Sequence, residues 1–415
     1  MDIINKTFIA ILKSSLMSEK VDFSQEISLN EWQSLFETAN IHNVLPMVYE
    51  SAYMSPSLQN INAPFIGIAK RQVMQQVMLQ TIKTSEFLSL NKKLLEAGVK
   101  PLVVKGIICR ELYPQPDHRQ SSDEDILIPI EQFETCHNVL TDFGMQTTEN
   151  EDERAASYEV TYRKPGSPLC IELHKYLFPP ESDAYGDLNR FFEDVFEKSV
   201  IEDIQGNSVY TMGYTDHLFY LICHAFKHFL HSGFGIRQVC DIIMYANRYG
   251  NQIDWIEMLN NCKEIHADIF AAALFQIGSK YLVFDPDEAH YPEIWRKIKV
   301  DETAMLEDLL SSGIYGDANM SRKHSSNITL DAVASQKQGK KSKNRMISSL
   351  FPSAKNLESR YSYLKKHPYL LPIAWCQRIW NYSKETKQIK DNSAAEAMKI
   401  GSERIELMKQ YGIIK

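Results

Sequence analysis

Asp123 and Asp125 stand two residues apart at the head of the apolar run Ile126-Leu-Ile128. In an extended strand residues i and i+2 share a face, so the two carboxylates project together while Ile126 and Ile128 turn the other way, into a core. Carboxylates placed like this repel each other, and a divalent ion carrying phosphate is the usual relief. The plain alternative is a polar strand start on a solvated sheet edge. A third acid bears on the choice. Glu172, within Cys170-Ile-Glu-Leu-His174, would sit in mid-strand with Ile171 and Leu173 on the opposite face, where a carboxylate is otherwise out of place. If that strand lies beside the first, Asp123, Asp125 and Glu172 converge. His174 would share the face of Glu172, either as a helper in proton transfer or as a strand-end histidine with a backbone partner.

The elements that must position these residues follow from periodicity. Phe8, Ile9, Leu12 and Leu16, then Trp32, Leu35 and Phe36, recur at helical spacing and predict small amphipathic helices over 1–72. A long helix from Gln72 to Ala97 is predicted to bury Val73, Val77, Met78, Ile82, Phe87, Leu88, Leu94 and Leu95, with Gly98 ending it. The β-branched run before Lys105-Gly106 predicts a short strand, and a helix follows to the Tyr113-Pro114 break. Beyond the carboxylate strand come a helix over 131–143 and strands near 145–149, 158–163 and 169–173. From Asp183 onward helix is predicted to dominate, most strongly over 215–230 and 236–249. The segments read as a helical region 1–72, a core of small mixed sheet with helices at 73–182, a helical domain 183–310, a flexible basic linker 311–345, and a C-terminal helical region 346–415 with Leu371, Trp375, Ile379 and Trp380 at core spacing. The fold class is therefore α+β, a small mixed β-sheet core embedded in a largely helical chain.

Composition narrows the function classes. At 415 residues, 44% hydrophobic and 24% charged, the chain is an ordinary globular protein with room for two or three domains. A net charge of −8 disfavours an extended nucleic-acid surface. One local exception is 337–366, where nine Lys or Arg face the single acid Glu358, either a solvated flexible face or contact for an anionic partner such as triphosphate or RNA. Seven scattered cysteines without a Cys-x-x-Cys pair imply neither a disulfide framework nor a zinc ribbon. No run reaches the roughly 18 apolar residues of a membrane span and no leader is evident, so a cytoplasmic protein with no membrane partner is expected.

The order of parts, a Gly-terminated strand and helix, an acid pair on one strand and a lone acid on a later one, resembles the nucleotidyltransferase fold of the DNA polymerase beta superfamily. More narrowly, Lys105-Gly106, Tyr113-Pro114, Arg119 and Ser122-Asp-Glu-Asp-Ile-Leu-Ile128 are similar to the signature of a bacterial family of uncharacterised nucleotidyltransferases. So are Ile41-His-Asn-Val-Leu-Pro46, His224-x-x-x-His228, Gly235-x-Arg237 with Asp241, Leu350-Phe-Pro352, Leu370-Leu-Pro372 and Arg378, so that the likeness covers most of the chain. It implies two Mg²⁺ ions held by Asp123, Asp125 and Glu172, an NTP substrate, and transfer of a nucleoside monophosphate to a hydroxyl acceptor on a small molecule, a protein or an RNA end, with pyrophosphate released. Many superfamily members place Gly-Ser before the metal acids, and this chain has Lys105-Gly106.

Roles for the flanking residues stay open at the level of sequence. Gly106 allows close backbone approach at a helix start, and Lys105 is either a phosphate donor or a cap on the strand's end. Arg119, with Ser122 beside the acids, is either a triphosphate clamp or the partner of Asp117 or Asp123. His224, Lys227, His228 and His231 share one helix face, which would border the nucleotide site or the helical core, or hold zinc. Arg237 and Asp241 are a surface pair or, by the resemblance, part of the cleft between sheet and helices. The competing function is a non-catalytic nucleotide-sensing or partner-binding module on the same fold, favoured by the departure at Lys105-Gly106 and opposed by retention of all three acids.

Overall fold

Two apolar clusters, one on each face of a four-stranded sheet, organise the chain. The structure is a computed structural model and describes residues 1–21, 26–61, 63–313, 320–339, 367–388 and 394–415, with positions 351, 354, 357, 361, 363 and 364. Strand β1 (Leu102–Val103) runs antiparallel to β2 (Glu124–Leu127), β2 runs parallel to β4 (Cys170–His174), and β3 (Glu159–Arg163) is antiparallel to β4 at the far edge. Alternation along each strand decides which core each side chain joins. Ile126, Ile128, Ile171 and Leu173 pack with Phe87, Leu88, Leu90, Leu94, Phe133 and Leu140 on one side. Leu102, Val104 and Leu127 face the larger helical mass on the other. The sheet is mixed and the rest mostly helical, as the α+β pattern predicted, with helices on both faces.

Three details of the chain depart from the periodicity reading. The predicted strand near 145–149 is reduced to one bridge, Gln146 with Arg163. A hairpin, β5 (Val200–Ile204) with β6 (Asn207–Thr211), stands where helix was expected to begin. Its turn places Gln205 (φ 53°) and Gly206 (φ 77°) in the left-handed region, the pattern of a two-residue hairpin turn. The long helix, Ala63–Glu96, exposes Met78 (55%) and Ile82 (39%) and buries Gln80, Lys83, Thr84 and Asn91 instead. The cause is its path: Ala69 and Val73 belong to the larger core and Phe87 to the smaller one, while the stretch between them serves a polar loop. There the Gln80 carboxamide oxygen accepts from Ser121 N (3.0 Å), Thr81 donates to Asp117 (2.6 Å) and Lys83 donates to Ser121 O.

Residues 320–337 correct the linker expectation, because they form the helix Met320–Lys337, packed on the helix Ala394–Gln410. Ile328, Leu330 and Val333 bury there, and three apolar contacts inside a Ser-rich run outweigh its composition. Lys337 pairs with Asp187 (2.6 Å), and the other eight basic residues of 337–366 lie outside the described residues, as do Leu350 and Pro352. In the helix Leu371–Gln388, Ala374 is buried and Trp380 is 61% exposed, against its predicted place in a core.

The N-terminal helices share the larger core with the helices of 214–312. His42 joins them directly: its Nδ1 accepts from Ile236 N (3.4 Å), its Nε2 lies 3.2 Å from Leu310 O, and its ring stacks on Phe8. Among the described residues no helix is long and apolar enough to cross a membrane.

Candidate functional site

The parallel pairing of β2 with β4 sets Asp125 directly opposite Glu172, on the face turned toward the helix Tyr214–His231. His174, two residues along β4, comes to the same place, and ligand atoms of Asp125, Glu172 and His174 lie within 4.8 Å of one another. Among the described residues this is the group of acids and histidines with the spacing to hold a metal ion. His174 thus stands inside the group, with Nε2 3.5 Å from Asp125 Oδ1 and Nδ1 3.5 Å from Glu159 Oε2. Asp123 is half-buried in the same cleft but outside that group.

The electrostatics of the group suit a cation. Burial, then the charges of Asp125 and Asp123, push the Glu172 carboxyl up to about 8. Burial acts the same way on Asp125, but the Lys105 ammonium at 2.7 Å and the His174 imidazole outweigh it and hold that carboxyl well below the usual range. Burial opposes a charge on His174, yet Asp125 and Glu159 raise its value overall. One carboxylate of the pair is balanced by a lysine and the other is pushed upward by its neighbours' charge, the divergence expected of two acids that share a site. A divalent ion bound by oxygen and imidazole ligands would satisfy both, so the donor set fits one.

Lys105 and Gly106 hold the floor of the cleft. Gly106 has φ 51° and ψ −116°, and a Cβ there would fall 1.9 Å from Glu124 Oε2. That contact shows an acid the sequence reading passed over. Glu124 is fully buried, accepts from Ile107 N (2.7 Å) and pairs with Arg110 Nη1 (2.6 Å), fastening the Lys105-Gly106 turn to β2. Strand alternation already put Glu124 on the core face with Ile126, and that was the signal.

Arg119 pairs with neither Asp117 nor Asp123. It forms a buried two-point contact with Asp241, Nε to Oδ1 at 3.0 Å and Nη2 to Oδ2 at 2.6 Å, while Tyr113 donates to Asp241 Oδ1 at 2.7 Å. Asp241 is therefore spoken for, and Arg237 is not its surface partner: both are buried, and Arg237 Nη1 donates to Gln120 O. Arg119 Nη1 and Arg237 Nε are buried without a hydrogen-bond partner. An open cleft brings together Lys105, Gly106, Arg119, Asp123, Asp125 and Arg237, with Ser121, Gln238, Asp241, Leu221 and His224. Ser122 is exposed at its edge, 3.4 Å from Asp123 Oδ2.

The histidine face borders this cleft. His224 Nε2 lies 3.0 Å from Lys105 Nζ and 3.2 Å from His228 Nε2. Burial first, and then the Lys105 and Lys227 cations, hold both imidazoles well below their ordinary value, and neither belongs to the metal-compatible group. Burial also lowers Lys227, against the pull of Glu159 and Glu172.

Among solved structures, an antigenic nucleotidyltransferase-like protein from Paracoccidioides brasiliensis is similar to the chain at 15% identity and a TM-score of 0.30, over 51% of this chain and 96% of that one. No curated protein matches the chain. A family model described as uncharacterised nucleotidyltransferase matches residues 28–281, which contain β1 to β4 and every cleft residue named above, and the chain belongs to that family.

Proposed function

We propose that the protein transfers a nucleoside monophosphate from an NTP to a hydroxyl acceptor, in a reaction dependent on Mg²⁺. The observation that carries this reading is the register of Asp125 with Glu172 on adjacent parallel strands, with His174 beside them and Asp123 in the same cleft. Asp123, Asp125 and Glu172 are the proposed ligands of two ions, with His174 in reach of the same position. When bound, the metal supplies neutralisation of phosphate charge and a lowered pKa for the acceptor hydroxyl. The chain's own residues do the rest. Lys105, Arg119 Nη1 and Arg237 Nε offer donors to the triphosphate, and Asp241 fixes the Arg119 fork so that little side-chain freedom is lost on binding. Glu172, or His174 at its side, takes the acceptor's proton. Gly106 keeps the backbone close at this point.

One observation favours a second reading. Lys105 pairs with Asp125 at 2.7 Å and so supplies a positive charge there without any metal, as a nucleotide-sensing module without catalysis would. The two separate by experiment. With labelled ATP, CTP, GTP and UTP in turn, Mg²⁺-dependent release of pyrophosphate and loss of that release in Asp123→Ala/Asp125→Ala support the enzyme. Metal-dependent binding without turnover across candidate acceptors supports the sensor. Absence of metal-dependent binding at millimolar NTP defeats both.

A further inference from the structure

Six of the eleven residues that line the cleft are charged, and two of the others stand out. Leu221 is its one purely hydrocarbon side chain and Gln238 its one carboxamide. Gln238 sits in the first turn of the helix Ile236–Tyr249, its backbone N bonded to Gly235 O (3.1 Å), and it is 7% exposed. Both ends of its amide, Nε2 and Oε1, are buried without a hydrogen-bond partner. Folded proteins leave few buried polar atoms unpaired, and two on one side chain that faces a cleft mark a place where a ligand completes the bonding.

The kind of ligand follows from what the amide needs. Arg119 Nη1 and Arg237 Nε, also unpartnered in this lining, are donors only and suit phosphate oxygens. Gln238 differs from them. A phosphate could accept from its Nε2, but that would leave the carbonyl oxygen turned toward negative charge. A group presenting a donor and an acceptor side by side satisfies both atoms, and nucleobase edges present that pair: an amino group beside a ring nitrogen, or a ring N–H beside a carbonyl. The flat face of a base also needs an apolar surface, and Leu221 supplies one.

We propose that Gln238 reads the edge of the nucleobase of the bound NTP, with Leu221 against the ring, while Arg119 and Arg237 hold its phosphates. The assignment rests on the nucleotidyl-transfer reading above and goes beyond it by naming the residue that recognises the base. Selectivity among the four NTPs then resides in this buried amide rather than in the metal site.

The test measures binding by the full chain with Mg²⁺, using ATP, GTP, CTP, UTP and inorganic triphosphate as separate probes. The variants are Gln238→Ala and Gln238→Met; methionine keeps the side chain's length and guards against loss of fold, which far-UV circular dichroism checks. The wild type should favour one or two NTPs over the others. Both variants should weaken the favoured NTP about 5- to 100-fold, the discrimination a two-point amide contact provides, and bring the four affinities together. Inorganic triphosphate should bind each variant as it binds the wild type. Variants that keep the wild-type preference would overturn the assignment, and so would parallel loss of triphosphate, which would mean that Gln238 only props the arginines. A wild type that binds neither NTP nor triphosphate would instead defeat the reading on which the assignment rests.

Discussion

Replacing Gly106 with alanine sets a methyl group against the most enclosed carboxylate of the sheet. The new Cβ would lie 1.9 Å from Glu124 Oε2, 2.7 Å from its Cδ and 3.3 Å from its Cα. A flexible side chain would swing away at small cost, but Glu124 has no exposed surface to swing into and is held at both oxygens, by Ile107 N and by Arg110. Displacing it gives up a charge-assisted hydrogen bond in a buried setting, about 1.5–3 kcal/mol. The backbone adds strain of about 1–3 kcal/mol, because φ 51° with ψ −116° is a conformation that only glycine adopts freely. Gly106→Ala should therefore destabilise the folded chain by about 3–6 kcal/mol, a large share of a typical domain's stability.

Equilibrium urea unfolding followed by tyrosine and tryptophan fluorescence measures that loss, and a double-mutant cycle identifies its origin. Glu124→Ala alone leaves Arg110 as a buried charge whose remaining neighbour is Ser121 Oγ (2.8 Å), which should cost about 3–5 kcal/mol. Adding Gly106→Ala to that background should cost only the backbone strain, because the atom it strikes is gone. Equal costs of Gly106→Ala in the two backgrounds would refute the steric argument. A cost below about 1 kcal/mol in the wild type would refute the strain argument as well.

Three other outcomes are expected. Glu172→Gln should lower transfer by about 10²–10⁴ while leaving NTP affinity within about threefold, measured as pyrophosphate release beside calorimetric binding; equal loss of binding would make Glu172 structural. Lys105→Met removes the cation paired with Asp125 and should lower the melting temperature, and millimolar Mg²⁺ should restore more of it in the variant than it adds to the wild type; no difference would mean that metal and lysine do not share that carboxylate. His42, lowered by burial to about 4 and facing Leu310 O, Ile236 N and the Phe8 ring, binds fewer protons folded than unfolded between pH 4 and 6.5. Its contribution is complete above about pH 6.5 and is lost as pH falls toward 4, about 2 kcal/mol of it by pH 5, so His42→Gln should unfold with a shallower acid slope in urea titrations at pH 7 and pH 5.

Strand alternation made Asp125, Glu172 and His174 legible as one face, because a period of two needs no knowledge of the partner strand. That β2 and β4 are neighbours could only be supposed from sequence, since pairing is decided by tertiary packing, and the register Asp125 to Glu172 came with it. Long-range partners were illegible for the same reason. Arg119 has acids two residues before it and four after it, yet it binds Asp241, which is 122 positions away and enters the cleft only because the helix Ile236–Tyr249 packs there. The long helix Ala63–Glu96 misled through its hydrophobicity. Met78 and Ile82 carry the apolar signal, but the buried stretch between the two cores is needed to grip the loop before β2, and Gln80 and Lys83 do that with an amide and an amine. These departures share a physical cause, buried polar atoms recruited to hold a loop in place. They collect around the turn at Gly106 and the segment 117–124, whose position fixes that of the acid pair, and the same buried-polar argument underlies the proposal for Gln238.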